Sequence, residues 1–334
     1  MVFNNTEWLS QLTEEAVDPG REIVDPHHHL WPSAAMGYNV PELLADLTSG
    51  HNVVQTVFME CGAAYRKEGP DHLKPVGETV FVAQASEKMK AMGGPYIAAL
   101  VAHADLRLEP AVLDEVLDAH AEASDGLFRG IRHAGSRDTS GATFRIPGHA
   151  PPRLYHDPDF RRGVRRLGER GLTYDTWHYH HQNRDYLDLA KACPETTMIL
   201  DHFGTPIGIG PYEGKRDEIF EAWKDDMAAI ADCPNVHAKI GGLAMPDNGF
   251  GWDTRETPPA SDEIVDQHGR WYRHMIACFG PERCMFESNF PVDRLSMSYG
   301  VYWNAMKKIA ADYPEADRAA MFAGTARKVY RVAA

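Results

Sequence analysis

Short apolar, β-branched runs alternate along this chain with longer amphipathic, charged stretches. The runs Glu22–Pro26, Val53–Glu60, Tyr96–Ala102, Leu127–His133, Leu172–His178, Thr197–His202, Val236–Ile240 and Cys284–Ser288 read as strands. Helical spacing occupies most of the intervals, at Thr79–Met92, Pro110–Ala123, Pro158–Arg170, Arg184–Ala192, Arg216–Ala231, Asp262–Phe279 and Ala316–Val332. Asp157 before Pro158 forms an N-cap with proline at the first helical position, and Gly171 ends that helix ahead of the fifth strand. Ser261 or Asp262 caps the next-to-last helix. Strands that alternate with helices predict a parallel sheet with crossover helices, and eight such units close a barrel.

The expected architecture is therefore α/β, a (β/α)8 TIM barrel forming one domain over residues 1–334, with residues 1–20 as an N-terminal extension. Two segments break the alternation. Residues 135–156 are rich in Gly, Pro, Arg and Ser, and residues 241–259 contain Gly-Gly, Asp-Asn-Gly and Pro-Pro. Both follow predicted strands, so both are expected as loops on the C-terminal face, where barrel enzymes bind substrate. No repeat of fixed period and no linker divides the chain.

The run Asp25-Pro26-His27-His28-His29-Leu30-Trp31 carries the densest chemistry. It is internal, unlike an expression tag. In a regular strand, residues two apart share a face. That places Asp25, His27 and His29 together and turns His28 away. Two imidazoles on one face can hold a divalent cation or grip a carbonyl oxygen. The other strand ends are also polar: Glu60, His103, Arg132-His133, His178, Asp201-His202, Lys239 and Glu287-Ser288-Asn289. A closed barrel would gather them in one mouth. Arg132 suits a substrate carboxylate, through its planar fork, or a structural ion pair. Lys239 is either a floor ion pair or a substrate contact.

Composition narrows the class. A formal net charge of -14 argues against sequence-independent nucleic-acid binding. Five cysteines with no CxxC spacing argue against a disulfide framework or zinc knuckle and fit a reducing compartment. The polar N-terminus does not read as a signal peptide, and no apolar run approaches the length expected of a membrane span. A cytoplasmic protein acting on a small molecule is expected, without nucleic acid or membrane partners. A homo-oligomer is compatible with this.

Four motifs in order resemble the amidohydrolase superfamily, in particular its amidohydrolase-2 branch. They are the Asp25–Trp31 run, Asp201-His202-Phe203-Gly204-Thr205-Pro206, Ala238-Lys239-Ile240-Gly241-Gly242-Leu243, and Glu287-Ser288-Asn289-Phe290-Pro291-Val292. Phe322–Tyr330 also looks like the family's last helix. The resemblance implies a (β/α)8 barrel with its site at the strand C-termini. It also implies a lactonase such as a sugar or pyrone-dicarboxylate lactonase, or a non-oxidative decarboxylase. Metal-using members take ligands from the first-strand His pair, a later His and an eighth-strand Asp. By position these are His27, His29, His178 or His202, and Asn289.

Asn289 departs from the family's Asp. A neutral amide takes no proton and coordinates weakly. Zinc or manganese on His27, His29 and His178, and action without metal, are both compatible with this. The expected catalytic set is His27, His29, His178, His202 and Asn289, with Glu60, Arg132, Trp31 and Lys239 for substrate. Candidate bases are Glu60, His178, His202, Glu287 and Asp293. Glu287 shares strand parity with Asn289, and a pocket histidine has the pKa nearest neutrality. The expected function is hydrolysis of a lactone or related cyclic ester of a small anionic substrate. The alternatives are metal-dependent decarboxylation of an aromatic or unsaturated acid, and a barrel that has lost catalysis and serves in binding.

Overall fold

Eight parallel strands run in chain order around a single sheet. They are β1 Glu22–His28, β2 Asn52–Met59, β3 Tyr96–Ala102, β4 Phe128–Arg132, β5 Thr173–Thr176, β6 Met198–Leu200, β7 Val236–Ile240 and β8 Cys284–Phe286. This computed structural model describes residues 3–33 and 35–333. The last seam closes just beyond β8. There the Asn289 amide donates to the His27 carbonyl at 3.1 Å, and the His29 amide to the Phe290 carbonyl at 2.8 Å. The result is a nearly closed (β/α)8 barrel whose closing seam runs through the histidine run.

The helices are α1 Thr6–Leu9, α2 Val40–Leu47, α3 Val76–Ala91, α4 Pro110–Ala123, α5 Pro158–Glu169, α6 Asn183–Ala192, α7 Arg216–Ala231, α8 Ser261–Phe279, α9 Tyr299–Ala310, α10 Glu315–Ala319 and α11 Thr325–Tyr330. α4 and α7 have the bounds their periodicity predicts. α5 starts as expected, with the Asp157 side chain accepting from the amides of Asp159 and Phe160. α2 and α9 were not anticipated. α2 carries a readable start signal, an Asn39/Glu42 capping box with proline in its first turn. The single C-terminal helix expected over Ala316–Val332 is instead split between α10 and α11 by a wider π-type turn at Ala320–Gly324.

One core layer lies between strands and helices, and a second fills the barrel. The inner layer includes Val24, Val57, Val101, Ile199 and Met285. It packs on Ala323, Ala326, Val329 and Tyr330 of the C-terminal segment. That segment is tied to the strand starts, where the Arg129 Nε donates to the Tyr330 carbonyl at 2.6 Å and Arg327 pairs with Glu22. The end where strands begin is thus plugged, and the end where they finish is left for the site.

The β1–β2 register corrects one expectation. Asp25 pairs with Thr56 and His28 with Phe58, so β1 advances three residues while β2 advances two. Pro26 lies inside this bulge, the position a residue lacking an N–H donor favours in a strand. The extra residue reverses the parity. Val24 faces the barrel interior, while Asp25 faces outward and accepts from the Tyr299 hydroxyl of α9 at 2.9 Å. Asp25 therefore does not share a face with His27 and His29. His28 does turn away, its Nε2 lying 2.9 Å from the Thr56 hydroxyl.

Candidate active site

A cavity of about 390 Å³ opens at the strand C-termini. Its polar lining is His29, Glu60, Arg132, His202 and Asn289, each from the end of a different strand. Trp31 lines it from the loop after β1. Segments 135–156 and 241–259 contribute Ile146 and Met245. These two loops are pinned together by Asp247, whose two carboxylate oxygens accept the amides of Arg145 at 2.8 Å and Ile146 at 2.9 Å.

Beneath the cavity lies a buried group of histidines and acids. Glu287 Oε1 is 2.7 Å from His202 Nδ1, and its Oε2 is 2.7 Å from His27 Nδ1. The first contact is a well-formed hydrogen bond. The second is close but poorly aligned, so His27 Nδ1 and Glu287 Oε2 are both left without a hydrogen-bond partner. On its other side, His27 Nε2 stands 3.3 Å from His29 Nε2. His29 is oriented by the Met59 carbonyl, 2.8 Å from its Nδ1.

His202 and Asn289 both adopt left-handed backbone, with φ of 54° and 55°. Such a conformation in a histidine is strained, and the surrounding contacts must hold it. Gly242 is part of that support. A Cβ there would lie 2.4 Å from His202 Nδ1. The second glycine of Gly241-Gly242 lets the backbone reach the imidazole.

Charge in the next layer down is balanced by two cations. Lys239 Nζ lies 2.9 Å from Asp175 and 3.5 Å from Asp201. Burial works against its charge, but Asp175, Asp201 and Glu287 outweigh burial and hold its pKa above the ordinary lysine value. Arg132 Nε donates to Glu60 at 2.8 Å, and its Nη2 donates to the Glu60 carbonyl. Its Nη1 faces His27 Nε2 at 3.4 Å and Asp201 at 3.7 Å. Burial pushes Asp201 up to about 7 and Glu287 up to about 8, against the pull of Lys239. Burial also drives His27 and His29 well below the ordinary histidine value, and His202 down to about 3. The imidazoles are therefore neutral, and the two carboxyl groups hold protons near neutrality.

The donor set fits a divalent cation. His27, Asp201 and His202 each offer an atom within 4.8 Å of the others. Both oxygens of Asp201, together with Glu287 Oε2 and His27 Nδ1, are buried and lack a hydrogen-bond partner, Asp201 meeting its cations only at 3.5 Å and beyond. Two ligands of a tetrahedral zinc, each ~2.0–2.1 Å from it, stand about 3.3 Å apart, and His27 Nε2 and His29 Nε2 match that spacing. A cation would also relieve the cost of ionising Asp201 and Glu287.

The structure distributes the expected residues as follows. His29, His202, Asn289, Glu60, Arg132 and Trp31 line the cavity, and His27 sits directly behind it. His178 does not line the cavity; its Nε2 meets Asn183 at 3.0 Å and its Nδ1 lies 3.4 Å from the Tyr155 hydroxyl. Lys239 sits in the ion-pair layer rather than the cavity wall. Asn289 donates to Asp293 at 2.9 Å. His103 Nδ1 meets the Arg132 carbonyl at 3.1 Å, and His133 Nδ1 meets the Leu106 amide at 3.2 Å. Asp201 and Glu287 stand nearer the centre than the sequence suggested. Asp201 was visible in its Asp-His pair and Glu287 in its parity, but neither signal says which imidazole it meets.

A model of the amidohydrolase family matches residues 24–332. An uncharacterized protein of Sinorhizobium fredii is 33% identical over 93% of this chain and 98% of its own length. An L-fucono-1,5-lactonase of Burkholderia multivorans is 26% identical over 92% of this chain and 95% of its own. An amidohydrolase of Burkholderia multivorans solved with bound zinc shares the fold, with a TM-score of 0.71 at 24% identity, covering 93% of this chain and 99% of that one.

Proposed function

The chain belongs to the amidohydrolase family, and we propose that it is a hydrolase that opens a lactone or related cyclic ester of a small substrate. The observation that carries this reading is the Glu287 carboxyl, held between His202 Nδ1 and His27 Nδ1 directly behind a polar cavity floor. Glu287, in its ionised form, accepts from Nδ1–H of His202, which sets the tautomer and leaves Nε2 to accept a proton. His202 takes a proton from water as the water oxygen bonds to the ester carbonyl carbon. His29 and the Arg132 guanidinium, which both line the cavity, stabilise the oxygen on which charge develops. The ring C–O bond then breaks, and the leaving alkoxide takes the proton back from His202. The product is a hydroxy acid. Its carboxylate meets the Arg132 edge, which supports a substrate with one anionic or carbonyl group at this end.

His27, with His29 beside it and Asp201 and His202 within reach, would hold a divalent cation, which when bound would supply Lewis-acid polarisation of the carbonyl. Whether His202 keeps its lone pair for the proton or commits it to a cation is decided by elemental analysis of the purified protein. Assaying the same protein against a lactone panel tests the reading itself. Turnover of at least one lactone, lost in His27→Ala, is expected. Failure to open any lactone, ester or amide sinks it, and unaltered turnover by His27→Ala puts the site elsewhere.

A further inference from the structure

The cavity separates its chemistry by depth. Its charged, imidazole and amide side chains, His29, Glu60, Arg132, His202 and Asn289, come from strand ends and form the floor. Mainly apolar walls come from Phe3, Trp31, Met36, Met245 and Val292, and Trp177 just after β5 adds a ring whose Nε1 has no hydrogen-bond partner. Among the floor groups, Glu60 is already paired with Arg132 and Asn289 already donates to Asp293. Few polar atoms of the floor remain unpaired, and the walls add the Trp177 Nε1 as a further donor.

The wall is built rather than incidental. The Phe3 ring stacks on Trp31 at a centroid distance of 5.3 Å, joining the N-terminal segment to the loop after β1. The Phe3 amide donates to the Met36 carbonyl at 2.9 Å, and its carbonyl accepts from Arg294 Nη1 at 3.0 Å. Arg294 also holds Asn5 and Thr6 through their side chains. Phe3 is consequently 1% exposed although it lies near the chain start.

We infer that the substrate carries an aryl or alkyl group on its lactone ring and is not a polyhydroxylated sugar lactone. This rests on the lactonase reading above. A sugar ring presents hydroxyls around its whole perimeter, and each one buried against Phe3, Trp31 or Met245 loses its water without a partner. An apolar substituent at the same place gains from burial, while the carbonyl meets the floor.

The test compares kcat/KM for δ-decalactone and dihydrocoumarin with that for gluconolactone. The apolar lactones are expected to be favoured by at least about tenfold. Phe3→Ser and, separately, Met245→Ser are expected to lower the ratio of kcat/KM for δ-decalactone over δ-valerolactone at least threefold. A sugar lactone turned over as well as or better than the apolar ones overturns the inference and leaves the lactonase reading standing. If no lactone is opened, that reading fails, and the walls are judged by calorimetry with decanoate and gluconate. Decanoate binding at least about tenfold tighter, and weakened in Phe3→Ser, supports apolar selection; equal affinity overturns it.

Discussion

Glu287 Oε1 lies 2.7 Å from Nδ1 of His202, a hydrogen bond between residues 85 positions apart that joins the ends of β8 and β6. Replacing that carboxyl with an amide lets the His202 tautomer invert. Glu287→Gln is expected to lower kcat by about 10²–10⁴-fold, with KM changed little. Steady-state kinetics beside a thermal melt check this. A kcat within threefold of the parent would show that Glu287 does not orient the base.

Gly242 sets how closely the loop after β7 approaches His202. Its φ is +78°, and an added Cβ meets the ring at 2.4 Å. Gly242→Ala must strain the backbone by ~1 kcal/mol and displace the imidazole. We expect roughly a hundredfold loss of kcat from a protein whose circular dichroism remains native. Parent-level activity would place the proton-accepting group away from His202.

Asn289 gives its amide N–H to Asp293, whose pKa burial drives well above the ordinary carboxylate value. Asn289→Asp sets two buried carboxyl groups together, and they must share a proton. Ionising both removes about 3 kcal/mol of stability, so the variant should melt near the parent at acidic pH and well below it at alkaline pH. The added charge should also raise zinc content, read by elemental analysis. Zinc content that stays the same or falls would show that position 289 does not serve a cation.

Glu78 is buried beside the cavity, where its Oε1 accepts the amides of Cys61 at 3.1 Å and Ala63 at 2.7 Å. Burial, reinforced by Glu60, pushes its pKa up from 4.5 to about 8. Between those values the folded protein keeps a proton that the unfolded chain has lost. Its contribution is therefore complete below pH 4.5 and declines as pH rises toward 8. Glu78→Gln retains an acceptor for both amides without the titration. It should flatten that part of the pH–stability curve and melt at least as high as the parent at pH 8. Denaturant midpoints across the window check this, and an unchanged slope would refute it.

The alternation of apolar runs and amphipathic stretches determined the architecture, because period and length are local properties. β3, β7, α4 and α7 keep the predicted bounds, and of the polar residues expected in the mouth, His29, Glu60, Arg132, His202 and Asn289 line the cavity. What each residue meets was decided by tertiary structure. Strand parity could not foresee that the bulge at Pro26 would send Asp25 to Tyr299 on the outer face. His178 follows its strand as His202 does, yet the local path of the chain hands it to Asn183. Closure of the barrel, which sets β8 against β1, brings Glu287 to His27 across 260 positions. The apolar wall depends on Phe3, which a reading of residues 1–20 as an extension left outside the site. Sequence spacing sets the face of a side chain only where the element is regular; a bulge such as that at Pro26 reverses it, and packing of distant elements sets what each face meets.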